Sequence, residues 1–226
     1  MPHDYMDSQV EINAKMRAIL ADWLIEVHNK FELMPESLYL TFHIIDRYLS
    51  VKRVPRRELQ LIGVSAMLIA CKYEEIWAPE VNDFICISDR AYSREQVLAM
   101  EKEILNVLEW SLTVPTPYVF LVRFLKAAMC DKEVKEHQQH KFLMFQICDM
   151  KHFYHTHPSS KFFGIQMEHM VFFFAELGLM QYSLVRHRPS MVAASAVYAA
   201  RCTLKKSPIW TETLKHHTGF SDTQLL

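Results

Sequence analysis

A chain of 226 residues, 50% of them hydrophobic, is long enough to bury a sizeable core in one or two domains. A formal net charge of −1, with no basic block and no basic–aromatic interleaving, argues against a nucleic-acid binder. Only 4 glycines stand against 13 methionines and 14 phenylalanines, which argues against glycine-rich β and phosphate-loop architectures and for an all-α protein.

The first predicted helix covers 8–30. Ile12, Met16, Ile19, Leu20, Trp23, Leu24 and Val27 recur at three- and four-residue steps, broken by Arg17, Asp22 and Glu26. Ser8 and Glu11 have capping-box spacing at its start. Pro35 stops and restarts the chain, and 36–50 carries Leu38, Phe42, Ile45 and Leu49 on one face. Val54-Pro55 opens a third helix over 56–74, where Gly63, Ala66 and Ala70 allow close helix approach. Pro79 marks the next boundary. A short helix at 80–86 and a longer one at 93–109, capped by Ser93, complete five helices.

Thr113-Val-Pro-Thr-Pro117 reads as a domain linker, because its prolines break any helix. Helical runs follow at 118–129, 167–182 and 189–204. Ser195, Ala196 and Ala200 repeat Ser65, Ala66 and Ala70 at a constant offset of 130 residues, so the five-helix unit is read as an internal repeat. The scattered Cys71, Cys86, Cys130, Cys148 and Cys202, odd in number and without CxxC spacing, read as reduced thiols. No signal peptide is expected, and the apolar run Met170–Met180 is too short to span a bilayer. No GxGxxG, P-loop, HExxH or GxSxG occurs, so no catalytic role is expected.

MRAILADWLIEV at 16–27, IDRYLS at 45–50, GVSAMLIACKYEEIW at 63–77 and PSMVAASAVYAARCTL at 189–204 resemble the B-type mitotic cyclins. FFFAELGLMQYS at 172–183 and SPIWTETLKHHTGFS at 207–221 are closest in wording to plant members. The resemblance implies tandem five-helix cyclin boxes, the second incomplete: residues 1–112, a linker at 113–117, and a partial box over 118–226. A fifth helix of the second box would begin near Ser221, and the resemblance sets the expectation that the family's N-terminal extension with its destruction box is missing. The function implied is a regulatory subunit that binds and activates a cyclin-dependent protein kinase at G2/M, in nucleus and cytoplasm, without cofactor, metal, nucleic acid or membrane.

The resemblance also assigns residues. Lys72 and Glu101, surrounded by Tyr73, Glu74 and Phe84, match the family's kinase-binding set. Met16, Ile19, Leu20, Trp23, Glu26, Leu59 and Gln60 match its docking patch, where a partner with a basic-x-Leu motif places its Leu in an apolar groove and its cation on Glu26. Periodicity alone reads Met16 and Trp23 as core, and Lys72 and Glu101 as solvated charges. An RxxL match at Arg56–Leu59 reads as structural.

Residues 134–166 follow no cyclin-box pattern. They read as an insertion and, since Val134 is encoded GTN and Gln166 accommodates CAG, as a retained intron. His152, His155 and His157 inside it have metal-like spacing without helical support, and no metal site is expected there. A two-box adaptor that activates no kinase, or a defective splice product, is the competing reading.

Overall fold

The computed structural model describes residues 2–130 and 158–225. Among them the chain is helical, with no strand. Most of the insertion expected at 134–166, including the three histidines, lies outside the described residues.

Helix α1 spans Ala14–Lys30 and does not begin at residue 8. Its cap is Asn13, whose side chain accepts the Met16 N–H at 3.0 Å. Ser8 and Glu11 form no capping box. Ser8 instead closes a 3-10 turn (Met6–Ser8) by donating to the Tyr5 carbonyl, and Glu11 accepts the Arg56 N–H at 3.1 Å. The competing force is burial: Tyr5 is 1% exposed and Gln9 8%, so this segment is held against the body rather than wound into the helix.

Helix α2 (Pro35–Val51) starts with Pro at N1. A 3-10 turn (Arg56–Glu58) leads into α3 (Leu59–Glu74), followed by α4 (Val81–Ile87) and α5 (Arg94–Val107). Ser93 and Gln96 cap α5 reciprocally. All of α3 from Leu61 to Cys71 is buried, packed by α2, α5 and α1. Gly63 lets α1 come close: a Cβ there would lie 2.8 Å from Leu20 Cδ1 and 3.4 Å from Leu24 Cδ1. Burial also raises the Cys71 thiol pKa to about 12, in keeping with an inert core thiol.

Further along lie α6 (Pro117–Cys130), α7 (Pro158–Met180), α8 (Pro189–Thr203) and α9 (Glu212–Thr218). Helix α7 begins at Pro158, upstream of the start expected at 167, with proline again at a helix start. The repeated Ser–Ala motifs fall on α3 and α8, where Ala66, Ala70, Ala196 and Ala200 are all buried. With so few glycines, helix ends use other residues at positive φ: Glu32 (51°), Asp89 (54°), Glu109 (52°) and Lys205 (50°). Each such non-glycine residue costs about 1 kcal/mol or more.

The chain forms two compact units. One holds the residues up to Tyr118 together with Leu177–His187; the other holds Val119–Glu176 and Arg188–Leu226. The segment 177–187, read from sequence as part of the second half, thus belongs to the first unit. Polar contacts explain it. The Tyr182 hydroxyl accepts the Tyr5 and Met6 N–H groups at 2.7 and 2.8 Å and donates to Asp4. Arg17 donates to the Leu179 carbonyl and, through two 2.7 Å bonds, to both oxygens of Asp46. Tyr5 donates to the same carboxylate at 2.8 Å. This buried ion pair is fully hydrogen-bonded, the condition under which burial of charge is tolerated. In the second unit, Arg201 is 5% exposed and donates to the carbonyls of Ile209, Pro208 and Ala128.

Candidate functional site

The first unit carries two sites built on opposite ends of α3. At its start, Met16, Ile19, Leu20 and Trp23 from α1 face Leu59 and Gln60, with Arg56 on the turn before them. Together they line an open groove of about 370 Å³. Leu20 and Leu59, each 6% exposed, form its floor, while Ile19 is 61% exposed on its wall. Gln60 is oriented by the Tyr92 hydroxyl, which donates to its side-chain oxygen at 3.2 Å. Apolar side chains so open to water gain free energy when a partner's aliphatic chain covers them.

The groove gathers six of the seven patch residues expected from sequence. Glu26 is exposed but is not part of the lining. Arg56 is, although sequence reasoning met it only as a short motif read as structural. The signal was local: Pro55 forces a turn directly before Leu59-Gln60, which brings the intervening side chains to the same mouth.

At the other end of α3, Lys72 Nζ lies 2.6 Å from Glu101 Oε1 of α5. The lysine side chain is 47% exposed and the glutamate 13%, so the pair sits on a rim. A pair this open contributes at most about 1 kcal/mol to stability. Tyr73 is 48% exposed and hydrogen-bonds Thr113 Oγ1 at 2.6 Å. The Glu74 carboxyl is held above the usual carboxylate range by partial burial and by the carboxylates of Glu36 and Glu75. Glu75 turns inward, accepting from Met34 N–H and the Ser37 hydroxyl.

Phe84 corrects the expectation. It is 1% exposed and packs edge-on against Phe31, 5.4 Å between ring centres, so it belongs to the core and offers no surface to a partner. Two residues not singled out from sequence take its place on the surface. Ile76 and Trp77, each 90% exposed, follow Lys72 and Tyr73 in the loop after α3. Their signal was an aromatic stranded between the end of a buried helix and Pro79.

Neither site converges nucleophile, base and orienting group, and among the described residues no cluster of His, Cys, Asp and Glu could hold a metal ion. No described helix is long and apolar enough to cross a membrane.

Residues 1–113 match the family model for the cyclin N-terminal domain, and 150–226 match that for the cyclin C-terminal domain. The second match begins inside the segment 134–166. Cyclin-B1-1 of Oryza sativa subsp. japonica is 66% identical over 226 residues, covering 100% of this chain and 44% of that protein. G2/mitotic-specific cyclin S13-7 of Glycine max is 60% identical over 225 residues, covering 100% and 75%. Cyclin-B1-4 of Arabidopsis thaliana is 60% identical over 225 residues, covering 99% and 50%. The chain therefore spans about half the length of two of these relatives. A viral cyclin from herpesvirus saimiri shares the fold, with a TM-score of 0.73 at 20% identity, over 98% of this chain and 85% of that one. So does a chain of the CAK complex from Chaetomium thermophilum, with a TM-score of 0.60 at 16% identity, over 97% and 62%. Cyclins are regulatory subunits and not enzymes, and this chain belongs to the cyclin family, in its mitotic B-type branch.

Proposed function

We propose that the chain binds and activates a cyclin-dependent protein kinase at G2/M, acting in nucleus and cytoplasm, and recruits substrates through the α1–α3 groove. The observation that carries this reading is the Lys72–Glu101 pair, 2.6 Å apart on an exposed rim beside Tyr73, Ile76 and Trp77. A lysine and a carboxylate held side by side offer a charged donor and a charged acceptor to one partner backbone, and charge-assisted bonds are the strong ones. The exposed aromatics supply the apolar anchor beside them. A kinase helix seated there is favoured in its active position, where its own Lys–Glu ion pair aligns the nucleotide phosphates. Activation is then differential binding to one of two kinase states. The names of the G2/mitotic-specific relatives support the timing.

The groove contributes separately: an apolar anchor of the substrate fills it and raises the local substrate concentration without changing the chemistry. Phosphorylation of a histone by a purified mitotic cyclin-dependent kinase, with and without the chain, tests the reading. Stimulation supports it; no stimulation by a chain shown to be folded by circular dichroism removes it. Segment 134–166 is proposed to be a retained intron, and transcripts that always carry it, with no splice sites at its flanks, would remove that part.

A further inference from the structure

Arg56 belongs to two concavities. It lines the apolar groove with Met16, Leu20 and Trp23, and it lines a neighbouring open cleft of about 610 Å³ with Glu11, Pro55 and Arg57. The loop it stands on, Lys52–Glu58, reads KRVPRRE and carries four cations. Lys52 leans on Glu103 at 3.7 Å. Arg57 is only loosely paired with its neighbour Glu58, at 3.9 Å, with its side chain 86% exposed. Among the described residues, Arg53 and Arg56 have no ion-pair partner. The single carboxylate in the cleft, Glu11, already accepts the backbone N–H of Arg56.

The loop is held in place. Gln9, nine-tenths buried, donates to the carbonyls of Leu49 (2.8 Å) and Lys52 (2.6 Å) and accepts the Val54 N–H at 3.0 Å. With Glu11 fixing the far side of the turn, the backbone that presents Arg56 is set before any ligand arrives, which lowers the ordering cost of binding. The groove thus has a positive flank at its mouth, and Glu26 stands outside its lining.

We infer that the groove selects segments in which an acidic or phosphorylated side chain flanks the apolar anchor and rests in the cleft against Arg56 and Arg57. The inference rests on the groove being a docking site. Guanidinium groups match carboxylate and phosphate geometry with paired donors.

The test is fluorescence polarisation with short labelled peptides built on a Lys-x-Leu core, with Asp, phosphoserine or Ala placed on either side of it, bound to the full chain. On at least one side, the Asp peptide should bind about threefold and the phosphoserine peptide about tenfold more tightly than the Ala peptide. High salt should narrow the gap. Arg57→Gln, at a position outside the groove lining, should narrow the gap and leave the Ala peptide within about twofold, and adding Arg56→Gln should abolish the gap. Binding with no flank effect on either side overturns the inference and leaves the groove reading standing. A gap that survives the double substitution overturns the assignment to these two residues. No binding of any peptide by the folded chain overturns both readings.

Discussion

The two ends of α3 carry different chemistry on one helix. Its first turn faces α1 across an apolar groove floored by Leu20 and Leu59, with a single cation, Arg56, in the wall. Its last turn faces α5 through a charged pair and runs into a loop that leaves Ile76 and Trp77 bare. The buried stretch between them, Leu61–Cys71, fixes both in one rigid frame. A helix buried all round can therefore serve two partners only at its ends, where its neighbours diverge. The first end suits a small anchor bound in isolation; the second suits a broad partner held by charge and aromatic surface together.

Replacing Asp46 with Ala attacks both ends at once. It leaves Arg17 charged and buried, and the loss should be about 3–5 kcal/mol in urea or thermal unfolding. A loss below about 1 kcal/mol would show that the network is not what anchors α1 and α2.

Gly63→Ala separates the ends. The new methyl meets Leu20 Cδ1 at 2.8 Å, so Leu20 must shift. Overpacking costs about 1–3 kcal/mol, and better helix propensity returns about 1. Docking of a Leu-anchored peptide should weaken severalfold, while stimulation of the kinase on a substrate without that motif should hold. Parallel losses in the two assays would mean that the ends are not independent.

A third effect is absent at neutral pH and emerges on acidification. Burial, with Arg47 adding, pushes the His43 imidazole down to about 4. The folded state keeps it neutral while the unfolded chain takes up a proton below its usual pKa near 6.5. Stability from this group is therefore full above about 6.5 and is lost as pH falls toward 4. In His43→Leu the fall over that window should be shallower, read by urea midpoints; an identical slope would mean that the carboxylates alone set it.

Much of this frame was legible in the sequence. The period of Met16, Leu20 and Trp23, the small residues of α3 and the linker prolines placed the helices, whereas the groove residues came from the family resemblance, because periodicity alone reads Met16 and Trp23 as core. The start of α1 was misread because Ser8 and Glu11 have the spacing of a cap. Distant partners, Tyr182 for the segment around Tyr5 and Arg56 for Glu11, outcompete that local bond. Phe84 was misplaced because an aromatic on a short helix has no periodicity to tell core from rim. Arg56 was missed because a charge on a turn reveals nothing of what lies across from it until the chain is folded.

The direct test of the account is the kinase assay run on two double variants of the chain, with a docked and an undocked substrate. Lys72→Ala with Glu101→Ala should abolish stimulation on both substrates while the circular dichroism spectrum and melting temperature stay near those of the parent. Met16→Ala with Trp23→Ala should lose stimulation on the docked substrate alone. Full stimulation by the Lys72/Glu101 variant, or equal losses on both substrates from the Met16/Trp23 variant, would contradict the assignment of separate roles to the two ends of α3.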